Sequence, residues 1–240
     1  MTTDPPVVIG LTTEVLDAPW YEGQRRYQLF TDYSACLRHA GAIPFLIPGD
    51  TPAADLPPLL QRLDGILMTG GDDFDLSRLG GPKPLETCKP IPAEQQTLNL
   101  ALVRQACDLD MPLLGVCLGM QTLGIAHKGE FIQHLDEAEA HTKGVEHEVA
   151  VVPGTKTAAV LGSKSFTVRS FHHQALETAG PGLVASAWSS DGVLEAVERP
   201  DLRFAVAVQW HPERSPDSPQ TQTLFSGFVA AAASYREKQT

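Results

Sequence analysis

The sequence lacks both a surplus of basic residues and any apolar run long enough to cross a membrane. Its 240 residues include 18 lysines and arginines against 29 aspartates and glutamates, which gives a formal net charge of −11. This charge would repel nucleic-acid phosphates and anionic lipids, so we expect neither nucleic acid nor membrane as a partner. A spanning helix needs about 20 predominantly apolar residues, and no run approaches that length. The expected ligand is therefore a small molecule.

Cysteine is also scarce, and its spacing matches no disulfide framework and no paired metal motif. The four are Cys36, Cys88, Cys107 and Cys117, and we expect them to be reduced. Residues 1–6 lack the basic region and the apolar stretch of a secretion signal. Together these features favour a soluble, cytoplasmic protein.

The length and the 42% hydrophobic content predict one large α/β domain over residues 1–240. In the first half, short apolar runs alternate with amphipathic stretches, which is typical of βαβ units. Strands are predicted at 7–11, 42–47, 65–68 and 113–116, and helices at 27–40, 56–63 and 93–109. This alternation predicts a mainly parallel, doubly wound sheet with its active site beyond the carboxyl ends of the strands.

The second half is predicted to be a small antiparallel strand region followed by a closing helix. Strands are predicted at 145–152, 165–168, 183–189, 193–198 and 204–209, and the helix at 221–236. The pair Asp191-Gly192 is a strong turn signal ahead of a hairpin arm. The proline-rich segment 80–92 is predicted to be a long loop near the site.

The most informative residue is Cys117, which lies in a Gly-x-Cys-x-Gly turn between an apolar strand and a helix. A side chain on such a turn projects from the sheet, and the flanking glycines let backbone and substrate approach closely. The following helix directs its positive dipole end toward the sulfur. Cys117 is therefore the predicted nucleophile.

Two further segments complete a cysteine triad and its surroundings. His211 and Glu213 supply an imidazole and a carboxylate two residues apart, which suits a base and the group that orients it. The run 69–71 (TGG) is an ordinary tight turn when taken alone, and facing a nucleophile it becomes a candidate oxyanion loop.

Two metal-binding alternatives are less favoured. His127, His134, His141 and His147 match no common ligand spacing, so we expect solvated histidines and no metal. The acidic residues at 72, 73 and 75 could bind a cation, or could hydrogen-bond the turn backbone and recognise a substrate amine. We favour the hydrogen-bonded turn for these acidic residues.

The order of these motifs resembles that of the class I glutamine amidotransferase superfamily. The segments are 69–73 (TGGDD), 115–121 (GVCLGMQ), 172–175 (HHQA) and 209–213 (QWHPE). The chain is most similar there to stand-alone γ-glutamyl hydrolases of the γ-glutamyl-γ-aminobutyrate hydrolase group, a peptidase C26-like group. Further likeness lies at 9–12 (IGLT), Tyr33, 40–44 (AGAIP) and 191–196 (DGVLEA). The resemblance implies a flavodoxin-like three-layer sandwich.

The resemblance also implies a mechanism. Cys117 would attack a γ-glutamyl amide to form a γ-glutamyl thioester, His211 would move the proton, and Glu213 would orient the imidazole. The backbone N–H groups of Gly71 and Leu118 would hold the oxyanion. The groups expected to bind the glutamyl moiety are Gln121, His172, His173 and Gly70. No cofactor is implied.

Three departures from the group's pattern concern the substrate. Leu118 stands where arginine commonly follows the cysteine, an Arg-Asp pair is missing around 92–95, and Arg169 replaces an asparagine. Losing one arginine and gaining another would change the charged tail that the pocket accepts. The sequence therefore does not specify γ-aminobutyrate as the leaving group.

Three functional hypotheses follow. The first is a free-standing γ-glutamyl hydrolase that needs only its substrate and water. The second is a glutaminase subunit that supplies ammonia to a separate synthetase partner. The third is a catalytically silent ligand-binding module on the same fold. The sequence does not determine whether the chain forms a homo-oligomer.

Overall fold

A computed structural model describes residues 6–162 and 164–238. Within these ranges the strands are β1 (Val8–Thr12), β2 (Glu14–Asp17), β3 (Arg25–Gln28), β4 (Ile43–Ile47), β5 (Gly65–Met68), β6 (Leu113–Val116), β7 (Phe131–Ile132), β8 (Val145–Val151), β9 (Phe166–Ser170), β10 (Ala175–Leu176), β11 (Val184–Ser189), β12 (Leu194–Glu198) and β13 (Ala205–Val208). The α-helices are α1 (Thr31–His39), α2 (Leu56–Leu60), α3 (Ala93–Asp108), α4 (Leu118–Ala126), α5 (Lys156–Leu161) and α6 (Pro219–Glu237).

Nine strands form one sheet in the order β4-β1-β5-β6-β13-β12-β11-β8-β9. Neighbours from β4 to β13 pair in parallel, and neighbours from β13 to β9 pair antiparallel. Strands β5, β6 and β13 are buried along their whole length, as expected for parallel strands covered on both faces. The carboxyl ends of these three central strands therefore meet at one edge of the sheet.

Helices cover both faces of the sheet, and each face has its own hydrophobic cluster. On one face, α1, α5 and α6 pack together over a cluster that includes Leu37 and Phe228. On the other face, α2, α3 and α4 surround a cluster that includes Leu60 and Leu102. The predicted three-layer α/β fold with a mainly parallel central sheet is therefore confirmed.

The antiparallel strands predicted in the second half are present. Strands β12, β11, β8 and β9 continue the central sheet beyond β13. Two further antiparallel pairs, β2 with β3 and β7 with β10, lie outside that sheet. Strand β13 thus has a parallel neighbour on one side and an antiparallel neighbour on the other.

The predicted helix over 27–40 is too long at its start. Residues up to Gln28 pair with β2 in a hairpin, and α1 begins only at Thr31. Tyr27 Oη donates to Asp50 at 2.8 Å, and Arg25 forms ion pairs with Asp50 and Glu94. These contacts with distant parts of the chain override the local helical pattern.

In the part of the chain that the structure describes, no helix combines the length and the apolar character that a bilayer crossing requires. Most of the N-terminal segment that bears on a secretion signal, residues 1–5, lies outside the described residues.

Candidate active site

Cys117 occupies a strained position between β6 and α4. Its backbone has φ 50° and ψ −104°, although a non-glycine residue rarely adopts positive φ. Its N–H donates to Val208 O at 2.8 Å, and its carbonyl accepts the Gln121 N–H at 3.1 Å. Strain of this kind persists only where the surrounding structure enforces it, which is characteristic of a nucleophile elbow.

The glycines on either side of Cys117 are required by close packing. A Cβ on Gly119 would lie 2.4 Å from the carbonyl oxygen of Met68 in β5. A Cβ on Gly115 would lie 2.8 Å from the Cβ of Ala207 in β13. The Gly-x-Cys-x-Gly pattern therefore lets the start of α4 pack directly against the strands.

His211 follows β13 and lies beside Cys117. Its Nδ1 is 2.7 Å from Oε1 of Glu213, whose side chain is fully buried. Burial by itself would lower the pKa of His211, but the neighbouring Cys117 and Glu213, which also hydrogen-bond the ring, outweigh it and raise that pKa. The raised pKa favours the protonated imidazole beside the Cys117 sulfur and the Glu213 carboxyl group.

The glycine turn after β5 faces the elbow. A Cβ on Gly70 would lie 2.7 Å from Cε1 of His211, and a Cβ on Gly71 would lie 3.0 Å from Cδ2 of Leu118. Leu118 is the first residue of α4, so its N–H has no carbonyl partner one turn earlier in the helix. The turn and the helix start thus border the same space next to the sulfur.

Tyr33 is a site residue to which the sequence assigned no role. Its hydroxyl accepts the Gly70 N–H at 3.0 Å and lies 3.4 Å from Nδ1 of His211. Burial, reinforced by the charge of Glu213, raises the pKa of Tyr33 well above its usual value. A tyrosine on the buried face of a helix is usually part of the core, so only the motif likeness drew attention to it.

A cavity of about 320 Å³ opens over His211 and the glycine turn. The described residues that line it are Glu14, Leu16, Gln28, Phe30, Tyr33, Gly70, Gly71, Asp72, Lys89, Phe171, His211 and Arg214. Both signs of charge are therefore present in one pocket. Its small size suits a compact polar ligand.

Three of the charged groups in the cavity interact with one another. Lys89 Nζ lies 2.7 Å from Oδ2 of Asp72. Burial and the nearby Asp72 raise the pKa of Glu14, although Lys89 and His211 partly oppose the shift. The predicted loop at 80–92 is thus confirmed to reach the site, since Lys89 belongs to it.

The fourth charged group, Arg214, is held against aromatic rings. Its guanidinium carbon lies 4.0 Å from the centre of the Phe30 ring and 5.6 Å from that of Phe171. Stacking of this kind fixes a long side chain. The guanidinium also faces two carboxylates, with Nη1 3.8 Å from Oδ2 of Asp32 and Nε 3.6 Å from Oε1 of Glu213.

Three predicted binding residues do not line this cavity. Gln121 is buried, and its Nε2 donates to Gln174 O at 3.1 Å and contacts Oε1 of Gln209 at 3.4 Å. His172 is buried beside Glu195, and His173 contacts Asp73 at 2.9 Å. Their roles in binding the glutamyl group remain predictions.

The substitution at Arg169 does not place a cation in the pocket. Its guanidinium donates to Glu146 at 3.0 Å on the exposed side of β9. Only its backbone carbonyl reaches the site, where it accepts the His211 N–H at 3.2 Å. The expectation that Arg169 changes the accepted charge is therefore wrong, because alternate side chains of a strand point to opposite faces.

Two of the acidic residues after the glycine turn hydrogen-bond nearby backbone groups, which is the interpretation favoured above. Asp75 accepts hydrogen bonds from the N–H and the hydroxyl of Ser77, and Asp73 accepts the Lys89 N–H.

The prediction of solvated histidines is wrong for His141, which is only 1% exposed. Spacing along the chain could not reveal this burial, because the groups around His141 come from distant strands.

Comparison with known proteins identifies the family. The model of the peptidase C26 family matches residues 7–213. A putative glutamine amidotransferase of Mycobacterium tuberculosis is 36% identical over 217 residues, which cover 87% of this chain and 69% of that protein. The γ-glutamyl-γ-aminobutyrate hydrolase PuuD of Escherichia coli is 30% identical over 235 residues, with 91% of this chain and 92% of that protein covered.

Two solved structures share the fold. A putative GMP synthase protein from Thermoplasma acidophilum superposes with a TM-score of 0.68 at 19% identity, over 98% of both chains. The glutaminase domain of Trypanosoma brucei CTPS superposes with a TM-score of 0.66 at 22% identity, over 95% of this chain and 94% of that one. With the family match over most of its length, the chain belongs to the peptidase C26 family of glutamine amidotransferase-like proteins.

Proposed function

We propose that this chain is a cysteine-dependent hydrolase that cleaves the γ-glutamyl amide bond of a small γ-glutamyl compound. The observation that carries the proposal is the contact of His211 with both Cys117 and the buried carboxylate of Glu213, directly beside a strained elbow. A nucleophile, a base and an orienting acid in this order form the arrangement that covalent acyl transfer requires. The hydrolase relatives in the family support the same reaction class.

The first half-reaction forms a thioester. The Cys117 thiolate bonds to the γ-carbonyl carbon, and the tetrahedral intermediate collapses as the carbon–nitrogen bond breaks. The His211 imidazolium donates its proton to the leaving nitrogen, which departs as a neutral amine or ammonia. Glu213 accepts the hydrogen bond from His211 Nδ1 at 2.7 Å, which keeps Nε2 directed toward the reacting atoms.

The second half-reaction regenerates the enzyme. Water attacks the thioester carbon while neutral His211 accepts its proton, and the carbon–sulfur bond then breaks. The products are the γ-carboxylic acid of glutamate, the Cys117 thiolate and the His211 imidazolium. Charge and protons therefore return to the starting state after each turnover.

We assign the oxyanion to the backbone N–H groups of Gly71 and Leu118. The two residues approach each other across the space next to Cys117, as the 3.0 Å from a Gly71 Cβ to Leu118 Cδ2 indicates. Donors fixed in place before the reaction contribute on the order of 10²–10³ each in rate. Because the donors are backbone groups, their loss is expected from changes in turn geometry and not from side-chain truncation.

The charged lining of the cavity suits the glutamyl head. A γ-glutamyl group carries an α-ammonium and an α-carboxylate, and the cavity offers both acidic and basic partners. We assign the ammonium to Glu14 and Asp72, and the carboxylate to Lys89 and Arg214. Gly70 would then allow the substrate to approach His211 closely, since any Cβ there would occupy that space.

The names of similar proteins support the glutaminase alternative. The structural neighbours include a glutaminase domain and a putative synthase component, and one relative is named a putative glutamine amidotransferase. A glutaminase subunit would be nearly idle alone and would be stimulated by its synthetase. A hydrolase turns over without a partner.

Glutamate release by the purified protein tests the proposal. The substrates are glutamine and a panel of γ-glutamyl amines, amides and peptides, and the variants are Cys117→Ala and Cys88→Ala. We expect unaided turnover that disappears in Cys117→Ala and persists in the matched Cys88→Ala control. If no member of the panel is hydrolysed, the hydrolase proposal is wrong, and stimulation by a synthetase would then separate the glutaminase from the silent module.

A further inference from the structure

Three histidines and one glutamate converge in the antiparallel half of the sheet. They are His141, which precedes β8, His147 in β8, His172 after β9, and Glu195 in β12. One potential ligand atom from each lies within 4.8 Å of all the others. His141, His172 and Glu195 are buried, and the side chain of His147 is 12% exposed. The triad and the cavity over it use none of these four residues.

The ring nitrogens gather around one carboxylate oxygen. Oε1 of Glu195 lies 3.3 Å from Nδ1 of His141, 3.6 Å from Nε2 of His147 and 3.5 Å from Nε2 of His172. In a tetrahedral zinc site with bonds of about 2.0–2.1 Å, neighbouring ligand atoms are separated by roughly 3.3 Å. The observed separations therefore correspond to ligands grouped around one ion.

Outer hydrogen bonds orient two of the rings. His141 Nε2 is 2.8 Å from Oδ2 of Asp191, so the Asp191 carboxylate can hold this nitrogen as the donor while Nδ1 faces Glu195. His172 Nδ1 is 3.1 Å from the carbonyl oxygen of Gln174, to which it can only donate, and Nε2 faces Glu195. Carboxylate and carbonyl partners of this kind fix the tautomer of metal-binding histidines.

The ring of His147 also directs one nitrogen toward Glu195. His147 Nδ1 lies 3.3 Å from the carbonyl oxygen of Glu148, and its Nε2 faces both Glu195 and the hydroxyl of Ser170, which is 2.7 Å away. A hydroxyl can donate as well as accept, so its contact with Nε2 does not require that this nitrogen carry a proton.

Several polar atoms at the centre have no other partner. Among the described residues, Nδ1 of His141, Nε2 of His172 and both carboxylate oxygens of Glu195 are buried without a hydrogen bond. Buried polar groups are normally satisfied, and leaving a charged one unpaired is costly. A cation bound between Nδ1 of His141, Nε2 of His172 and Oε1 of Glu195 would satisfy these three atoms.

We propose that His141, His147, His172 and Glu195 bind one divalent transition-metal ion of the zinc type. Three imidazoles and one carboxylate suit Zn²⁺, Co²⁺ or Ni²⁺, whereas Mg²⁺ and Ca²⁺ prefer oxygen ligands throughout. Four protein donors fill a tetrahedral shell, so the site is structural and does not activate water. The inference is independent of the proposed reaction.

The ion would join segments that border the active site. Phe171, which lines the catalytic cavity, directly precedes the ligand His172. Two residues later, Gln174 accepts hydrogen bonds from Phe74 N–H and from the side chain of Gln121 in α4. Loss of the metal would therefore loosen the loop at 171–174 and reduce activity indirectly.

The test measures metal binding by the purified wild-type chain. The metal content of the protein as isolated is measured by mass spectrometry, the ion is then removed with a chelator, and Zn²⁺ and Co²⁺ are titrated back. We expect one ion per chain, a rise in Tm on reloading, and with Co²⁺ the visible absorption of tetrahedral coordination. A stripped wild-type chain that binds neither ion at micromolar concentration would overturn the proposal in favour of a hydrogen-bonded cluster of imidazoles.

Variants then locate the site. We expect His147→Ala and Glu195→Gln to weaken Zn²⁺ binding roughly 100-fold or more, since each removes a direct ligand. The matched control is His134→Ala, which removes an exposed imidazole outside the cluster that hydrogen-bonds His173 at 2.9 Å. Equal affinity in wild type and folded His147→Ala would contradict the assignment. If a ligand variant does not fold, the wild-type titration still decides.

Discussion

The hydroxyl of Tyr33 accepts a hydrogen bond from the backbone N–H of Gly70 at 3.0 Å. The same hydroxyl lies 3.4 Å from His211 Nδ1, so it joins the glycine turn to the imidazole. We predict that Tyr33→Phe lowers kcat about tenfold with little change in KM, because one hydrogen bond of about 1–1.5 kcal/mol no longer fixes the turn.

The matched control for Tyr33 is Tyr27→Phe. Tyr27 also loses one hydrogen bond, to Asp50 at 2.8 Å, but it lies on an exposed strand outside the cavity lining. Steady-state kinetics on the best substrate of the panel distinguish the two variants. An unchanged kcat in Tyr33→Phe would show that the turn holds its geometry without this hydroxyl.

The pKa of His211 depends on its two neighbours, Cys117 and Glu213. Burial lowers its pKa, but Cys117 and Glu213 raise it by more, so we predict that Cys117→Ala lowers the pKa of His211. Titration of the ring by NMR measures this directly, with Cys88→Ala as the control. A pKa that does not fall in Cys117→Ala would mean that the sulfur carries no charge beside the ring.

The same shift predicts the direction of a stability change with pH. Because the pKa of folded His211 is raised above the unfolded value of about 6.5, its contribution to stability is complete below that pH. The contribution is lost as pH rises through the pKa of the folded state. In Cys117→Ala this loss of stability should occur at lower pH and should be smaller.

Much of this site was predictable because local sequence determines it. The strand 113–116 and the start of α4 follow from an apolar run that ends in glycine, and the structure places Cys117 at that junction. The strand 65–68 was predicted with the same bounds that it has in the structure. Both segments are continuous apolar runs that would be buried in the sheet whichever strands lie beside them. Tertiary contacts therefore do not change their secondary structure.

What the sequence did not predict depends on pairing between distant segments. The hairpin of β2 and β3 forms because residues near 25–28 meet partners elsewhere, not because their pattern favours a strand. The burial of His141 likewise follows from the order of β8, β11 and β12, which periodicity cannot supply. The order of the strands determines which loops meet, and local sequence patterns do not specify that order.

Gly70 should not tolerate even a methyl group. A Cβ there would lie 2.7 Å from Cε1 of His211 and 3.0 Å from Tyr33 Oη. We predict that Gly70→Ala lowers kcat/KM about 100-fold while the fold is retained, because displacing the imidazole by a fraction of an ångström disrupts the reacting geometry. The control is Gly227→Ala in α6, where the nearest atom would be 3.2 Å away on the side chain of Val160, far from the imidazole. Normal activity in Gly70→Ala would exclude close approach at this turn.

Arg169→Asn tests the conclusion that this side chain lies outside the pocket. The guanidinium donates to Glu146 on an exposed edge strand, and only the backbone carbonyl contacts His211. An exposed ion pair contributes about 0–1 kcal/mol, so we predict kcat/KM and the ranking of leaving groups to change less than about twofold. By contrast, Arg214→Gln should raise KM at least tenfold, because Arg214 lines the cavity. A reordered substrate preference in Arg169→Asn would place the residue in recognition after all.

Glu198 tests the stability of the antiparallel half independently of catalysis. Its carboxylate is 1% exposed and accepts hydrogen bonds at 2.8 Å from Lys156 N–H, Thr157 N–H and the Thr157 hydroxyl at the start of α5. Glu198→Gln would turn an amide NH₂ toward one of these donors, so we predict a loss of about 2–3 kcal/mol. For a chain of this size that corresponds to a Tm lower by about 4–12 °C. Glu177→Gln on the surface is the matched control, and a Tm change equal to that of the control would show that the buried carboxylate does not stabilise α5.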